Sequence, residues 1–538
     1  MKKTGAVSLL FTGLGSIIGS GWLFGAANAA RIAGPLAPWA WVIGAGMILC
    51  IAASYAELGA MFPESGGMVR YVHYSHGPML GLIAAWANWI SIVSVIPIEA
   101  EASVQYMSSW PWHWAGMIYR QGHLDTLGML LTALLVLIYF LLNFWGIKLF
   151  IRANNLITVF KVIVPTLTGL MIISTGFHAQ NLHTSGGISH HLPGILTAVA
   201  TSGIVFSFNG FQSPINLAGE AERPGRNVPL AVMGSIIISA ALYLLLQFAF
   251  IGALTPADLR HGWQGIDFSS PFAQLALAVG VNWLVLLLYL DAFVSPSGTG
   301  TNYMAGVTRM LTGVQRNGML PPCFGKIHPV WQFSRHSLLV NLLICFVFMY
   351  FFRGWNSLAA VISVATVVTY LTGPVSAAAM RLNHPEIHRP LKVMCFSVVA
   401  PFSFVFASLV LYWGSWPLTG EIIILMGVSL PLYFYYRLKT VPVMGLVADC
   451  RNTVWFIGHL AVIALISWCG DRDFGGQGRL PAGWDMPLII VFSLLFFYAG
   501  KYSGIKDGHT GEQASHPDDE LPAPPQALSE ESPEKMVH

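Results

Sequence analysis

Residues 15–21 read Gly-Ser-Ile-Ile-Gly-Ser-Gly, in the middle of an apolar run that otherwise suits a helix. Glycine inside a helix costs roughly 1 kcal/mol relative to alanine, so three glycines and two serines mark a segment that opens cheaply. An opened helix exposes backbone N–H and C=O groups. At membrane depth these are tolerated only where they line a cavity or meet a ligand. A second interruption stands at 206–211, Phe-Ser-Phe-Asn-Gly-Phe, where Asn209 and Gly210 are the residues most at ease outside helical geometry.

Outward from these two stretches, the 538-residue chain is 55% hydrophobic and 9% charged, against roughly 25% charged in soluble proteins. That composition excludes an ordinary cytosolic enzyme. The net charge of +3 is too small to build a phosphate-neutralising surface, so no nucleic acid is expected. Apolar runs near 5–30, 38–62, 79–105, 127–146, 155–176, 194–218, 230–254, 281–308, 337–353, 356–380, 394–414, 421–437, 453–470 and 486–502 each suit a membrane-crossing helix. The sequence therefore predicts an all-α polytopic membrane protein with about fourteen crossings. The interruptions fall in crossings one and six and so begin two five-helix halves. Five is odd, so the halves are inverted, and paired breaks point to the central site of a transporter with a 5+5 inverted-repeat core. Close packing through small residues is the competing explanation of the glycines.

Placing Lys2 inside leaves twenty of the 27 Lys and Arg on the cytoplasmic side and six outside, with Lys161 within a crossing. This predicts a multi-pass protein of the plasma (inner) membrane with both termini cytoplasmic. Residues 1–440 read as the permease region, 441–502 as two added crossings, and 503–538 as a disordered acidic tail. The first 30 residues resemble a signal peptide superficially, but the run is too long and is expected to be retained. The six cysteines have no metal-binding spacing and read as reduced fillers. An external loop carries His178, His183, His190 and His191. No metal and no cofactor is expected.

Four motifs resemble the amino acid-polyamine-organocation superfamily of permeases: GSIIGSG followed by Trp22-Leu23-Phe24; YAELGAMFPESGG at 55–67; FSFNGFQ with GEAERPGRNVP within 206–229; and TRMLTGVQRNGMLP at 308–321. The resemblance implies a ten-helix inverted-repeat core, alternating access and an amino-acid-like substrate. It implies that N–H groups around Ser20 and Gly21 take the substrate carboxylate, with Gly19 giving access. Carbonyls of Ile17, Ile18 and Ser207 would take the ammonium, beside Asn209 and Gly210, and Phe206 falls at the aromatic gate. Helix dipoles agree with this assignment, since half-helix N-termini are electropositive and C-terminal carbonyls electronegative.

Lys161 lies nine residues past Arg152, about 14 Å deeper along a helix. An ionisable group there costs several kcal/mol unless paired or neutral. Proton-dependent members of the superfamily resemble this chain in having a fifth-helix lysine in place of sodium; the matching partners are first-helix carbonyls and Ser297. Asp291, also near mid-depth, is a second coupling candidate. Glu99 and Glu101 follow Pro97 and are expected at an external vestibule; their PIEAEA stretch resembles the aspartate-proton symporter branch. Some exchangers of the superfamily have a glutamate where this chain has Gln212, which cannot titrate. Glu57 reads as a structural partner for loop cations. The resulting expectation is proton-coupled amino acid symport across the bilayer, with an amino acid/amine exchanger or a non-transporting nutrient sensor as alternatives. No nucleophile-base pair, metal set or carboxylate dyad suggests an enzyme. Neither the particular substrate nor any protein partner is legible.

Overall fold

A helix that enters lipid must satisfy its own backbone, and the computed structural model of the chain is accordingly a helical bundle. It describes residues 3–506 except 65–66, 121, 146–147, 184–187, 317, 329–333, 440–441 and 482, and omits the side chains of 148–156 and 188–191. The tail expected to be disordered lies almost wholly outside the described residues.

The first crossing is two helices, α1 (Ala6–Ile17) and α2 (Gly21–Ala33), and α3 (Ala37–Met61) returns. A short α4 (Gly67–His76) precedes α5 (Pro78–Met107), α6 (Thr126–Phe144) and α7 (Lys148–Thr175). The sixth crossing is divided into α8 (Ile188–Thr201), α9 (Ile204–Ser207) and α10 (Ser213–Asn216). Then come α11 (Pro224–Ala253), a short α12 (Pro271–Ala278), α13 (Asn282–Arg316), α14 (Arg335–Phe351) and α15 (Trp355–Asn383). Beyond these ten crossings lie α16 (Phe396–Trp413), α17 (Leu418–Gly427) with α18 (Ser429–Arg437), α19 (Val443–Cys469) and α20 (Asp485–Ser503).

Among the described residues, eleven spans are long and apolar enough to cross a membrane, and three shorter apolar helices accompany them: Ala6–Ile17, Leu192–Thr201 and Arg335–Phe351. Together they stand where the fourteen predicted crossings fall. Two of the short ones belong to the interrupted crossings, and α14 has only 17 residues.

Burial separates centre from rim. The most apolar stretch of α15 is 94% buried and that of α5 83%, against 22% for α20. Leu130 and Leu134 on α6, Leu286 and Leu290 on α13, and Leu495 on α20 are exposed. A soluble protein would hide such faces, whereas lipid accepts them. α5 packs against α13 and α15, while α11 packs against α1, α3 and α7. The added helices are tied to the core by polar contacts. Tyr412 on α16 bonds Asp485 at the start of α20. At the other end of α20, the Gly500 carbonyl lies 3.0 Å from His76 Nε2, and Ile505 N–H donates to Ser75 O at 2.9 Å. Glu57 on α3 and Arg381 on α15 form a two-pronged ion pair at 2.7 and 2.5 Å. Arg381 also lies 3.8 Å above the Phe396 ring.

Candidate functional site

The glycines of the first motif open the helix where the sequence says they should. α1 ends at Ile17, Ile18 turns extended (φ −83°, ψ 90°), and Ser20 restarts the chain as the cap of α2. The Ser20 N–H has left the helical ladder and donates to Glu99 Oε2 of α5 at 2.9 Å. Gly19 permits this approach, since a Cβ there would come within 2.5 Å of Glu99 Oε1. At Gly21 a Cβ would collide with Ser207 Oγ, so the first and sixth crossings touch at this level.

The sixth crossing breaks twice. Gly203 turns with φ +91° before α9, and Gly210 turns with φ +122° after it, a conformation that favours glycine. A Cβ at Gly210 would lie 2.5 Å from the Ser16 carbonyl carbon. Gln212 braces this turn by accepting the Gly210 N–H at 3.0 Å and donating to Asn209 Oδ1 at 2.7 Å. Asn209 donates in turn to Ser91 Oγ of α5 at 3.3 Å. Tyr243 of α11 bridges the two breaks: its hydroxyl lies 2.9 Å from the Ser207 carbonyl and 3.3 Å from the Ile17 carbonyl. Those carbonyls are two of the three that the resemblance assigns to a substrate ammonium. Each keeps a second lone pair.

Lys161 is buried, and its ammonium donates to the Gly15 carbonyl at 3.0 Å and to Thr299 Oγ1 at 2.5 Å. The first-helix carbonyl is the kind of partner the resemblance implies, but the α13 partner is Thr299 in place of Ser297. Residues two apart on a helix point about 200° apart, and Ser297 instead accepts the Tyr139 hydroxyl at 3.0 Å. Asp291 is fully buried, within electrostatic reach of Lys161, and its carboxylate has no hydrogen-bond partner among the described residues.

Glu99 is placed differently from the sequence expectation. It is 1% exposed and lies inside the first break, not at an external vestibule. Glu101 is also fully buried, turned toward the backbone of Gly354 on a different face of α5. The reason is that α5 runs through the bundle centre, so its residues after Pro97 remain enclosed.

Phe206 is buried and meets Trp355 edge-on, with ring centroids 5.7 Å apart. Trp355 Nε1 donates to Ser20 Oγ at 2.9 Å, and the Trp355 ring packs on Phe24 at 5.2 Å. Above this aromatic cluster, Asn28 of α2 donates to Asn356 of α15 at 2.5 Å. Sequence reasoning missed Trp355, Tyr243, Tyr139 and Thr299. Tyr243, a phenol in the middle of an apolar run, was the findable one; Trp355 reaches the site from far along the chain with no local motif. Among the described residues no three His, Cys, Asp or Glu gather as a metal site; the side chains of His190 and His191 lie outside the described residues.

The comparisons agree with this architecture. The amino acid permease family profile matches residues 5–433. The chain is 51% identical over 510 residues to the glutamate/serine transporter AimA of Bacillus subtilis (strain 168), covering 94% of each chain. It is 34% identical over 512 residues to the aspartate-proton symporter of the same organism, covering 94% of this chain and 97% of that one. With the branched-chain amino acid permease BcaP, also of that organism, the identity is 22% over 454 residues, covering 81% of this chain and 93% of that one. With breaks in its first and sixth crossings and a permease match over most of its length, the chain belongs to the amino acid permease family of the amino acid-polyamine-organocation superfamily, whose members are transporters and not enzymes.

Proposed function

We propose that this protein is a secondary active transporter of amino acids, working by alternating access and coupled to protons as a symporter. The observation that carries this reading is the opened first helix, whose Ser20 N–H and Gly15 carbonyl face a buried carboxyl group and a buried amine beside the break of the sixth. The relatives' names, for glutamate and serine, for aspartate and for branched-chain amino acids, support the substrate class. In this reading the substrate carboxylate takes the N–H groups of Ser20 and Gly21, and its ammonium takes the carbonyls of Ile17, Ile18 and Ser207. Gly19, Asn209 and Gly210 shape the space, and Phe206 closes over it against Trp355.

The proton acts at Lys161, whose ammonium joins α1 to α13 through Gly15 and Thr299. Losing the proton removes the charge that holds these helices together, so protonation biases the inward and outward states. The protein is placed in the plasma membrane in this reading, and the positive-inside distribution of Lys and Arg supports an orientation with both termini cytoplasmic.

The test is uptake of L-serine, L-glutamate and L-aspartate into proteoliposomes at fixed membrane potential, without sodium, under an inward proton gradient. The wild type is expected to accumulate at least one of them. Lys161→Ala is expected to abolish accumulation, and Lys161→Arg to fail as well, because guanidinium does not release its proton. Uptake driven only by sodium, or only by amino acid loaded inside, refutes proton symport.

A further inference from the structure

The break of the first helix offers two backbone groups of opposite polarity, and side chains of matching charge already hold both. Lys161 sits on the Gly15 carbonyl, and Glu99 takes the Ser20 N–H at 2.9 Å. The half-helix dipoles favour this arrangement, because α2 begins electropositive and α1 ends electronegative. The fit around Glu99 is close. Its Oε2 accepts the N–H, its Oε1 lies over Gly19 where even a methyl would intrude, and the side chain is 1% exposed. A carboxylate held on an opened helix N-terminus is the arrangement assigned above to the substrate.

We propose that Glu99 is a tethered stand-in for the substrate carboxylate: it holds the Ser20 N–H, and a ligand binds there by displacing it, which makes the site select zwitterions over simple carboxylates. This inference rests on the proposed placement of the substrate at Ser20.

The selectivity follows from charge. Two carboxylates on one N–H group repel strongly in a low-dielectric site. Glu99 is buried and within electrostatic reach of Tyr139, Tyr243, Tyr303 and Lys161, and Asp291 acts on the same lysine, so a short displacement leaves it in this enclosure. A plain carboxylate would add one uncompensated negative charge to this enclosure. A neutral amino acid such as serine adds none, because its ammonium arrives with it.

The experiment uses purified full-length protein, radiolabelled L-serine as the neutral zwitterion, and acetate as the bare carboxylate. In the wild type, acetate is expected not to compete with amino acid binding. In Glu99→Ala the vacated N–H is free, so the amino acid should bind tighter by on the order of tenfold, and acetate should now compete. Glu99→Gln keeps the shape and the hydrogen bond but not the charge; it should fall between the two and guards against a folding defect in the alanine variant. Acetate should also raise the unfolding temperature of Glu99→Ala and leave that of the wild type unchanged, a readout that needs no amino acid. Weaker amino acid binding in Glu99→Ala overturns the proposal by making Glu99 a ligand of the substrate ammonium. Unchanged binding with acetate inert overturns it by reducing Glu99 to packing. A wild type that neither binds nor carries any amino acid defeats the proposed function instead, and the acetate shift still decides the role of Glu99.

Discussion

Two glycines at the breaks are required for different reasons, and the difference is measurable. At Gly19 an added methyl meets the end of the Glu99 side chain, which can swing away; at Gly210 it meets the Ser16 backbone, which cannot, and the φ of +122° adds strain. Gly19→Ala is therefore expected to insert and to unfold within a few degrees of the wild type, yet to lose amino acid binding. Gly210→Ala is expected to cost about 1–3 kcal/mol for its backbone alone, seen as poor recovery and a lowered unfolding temperature. Equal stability of the two variants would contradict the contact at Ser16. A substitution at Gly210 thus reports on folding, and only one at Gly19 reports on the site.

At the scale of the helix, α13 turns Thr299 to Lys161 and Ser297 to Tyr139. Thr299→Val keeps the side-chain shape and removes the acceptor, so gradient-driven uptake should fall by about tenfold, in keeping with a hydrogen bond to a charged group. Ser297→Ala should lower it less, and the reverse order would restore Ser297 as the lysine's partner. The same pair shows what the sequence could and could not reveal. Helices were legible because lipid leaves a chain no other way to satisfy its backbone, and the breaks because glycine clusters are costly in helices. Lys161 stood out by its depth in an apolar run. The facing of α13 was hidden because the sequence gives the spacing of Ser297 and Thr299 but not which side of the helix meets Lys161 of α7. Glu99 was misplaced for a related reason: its distance along α5 was readable, but not that α5 passes through the centre of the bundle.

For the whole molecule, α15 has the most enclosed apolar stretch among the described spans, and it touches α3, α4, α5, α16 and α20. Its Arg381 fixes it to α3 through Glu57, which is 2% exposed and also accepts the Val393 N–H at 2.9 Å. Removing Arg381 leaves a buried carboxylate short of its cation, so Arg381→Ala should destabilise the protein by about 3 kcal/mol. The check is thermal unfolding of the purified variant; an unchanged midpoint would mean that the Val393 N–H alone suffices for Glu57. α20, clasped at Tyr412 and at His76, closes over the α15–α16 side of the bundle.

The grip of Ser20 on Glu99 also bears on biogenesis. The ribosome makes Glu99 before Lys161, and at about 5–20 residues per second the 62 residues between them take roughly 3–12 s. During that interval α5 must leave the translocon with a carboxylate and no lysine to meet it. The opened first helix is already present, and its Ser20 N–H is the partner at hand. The opened first crossing thus gives the carboxyl group of α5 a partner before Lys161 exists. Stalled nascent chains ending between the two residues would hold α5 in lipid less firmly when Gly19 is replaced, a difference that disappears in the full-length chain once Lys161 is made.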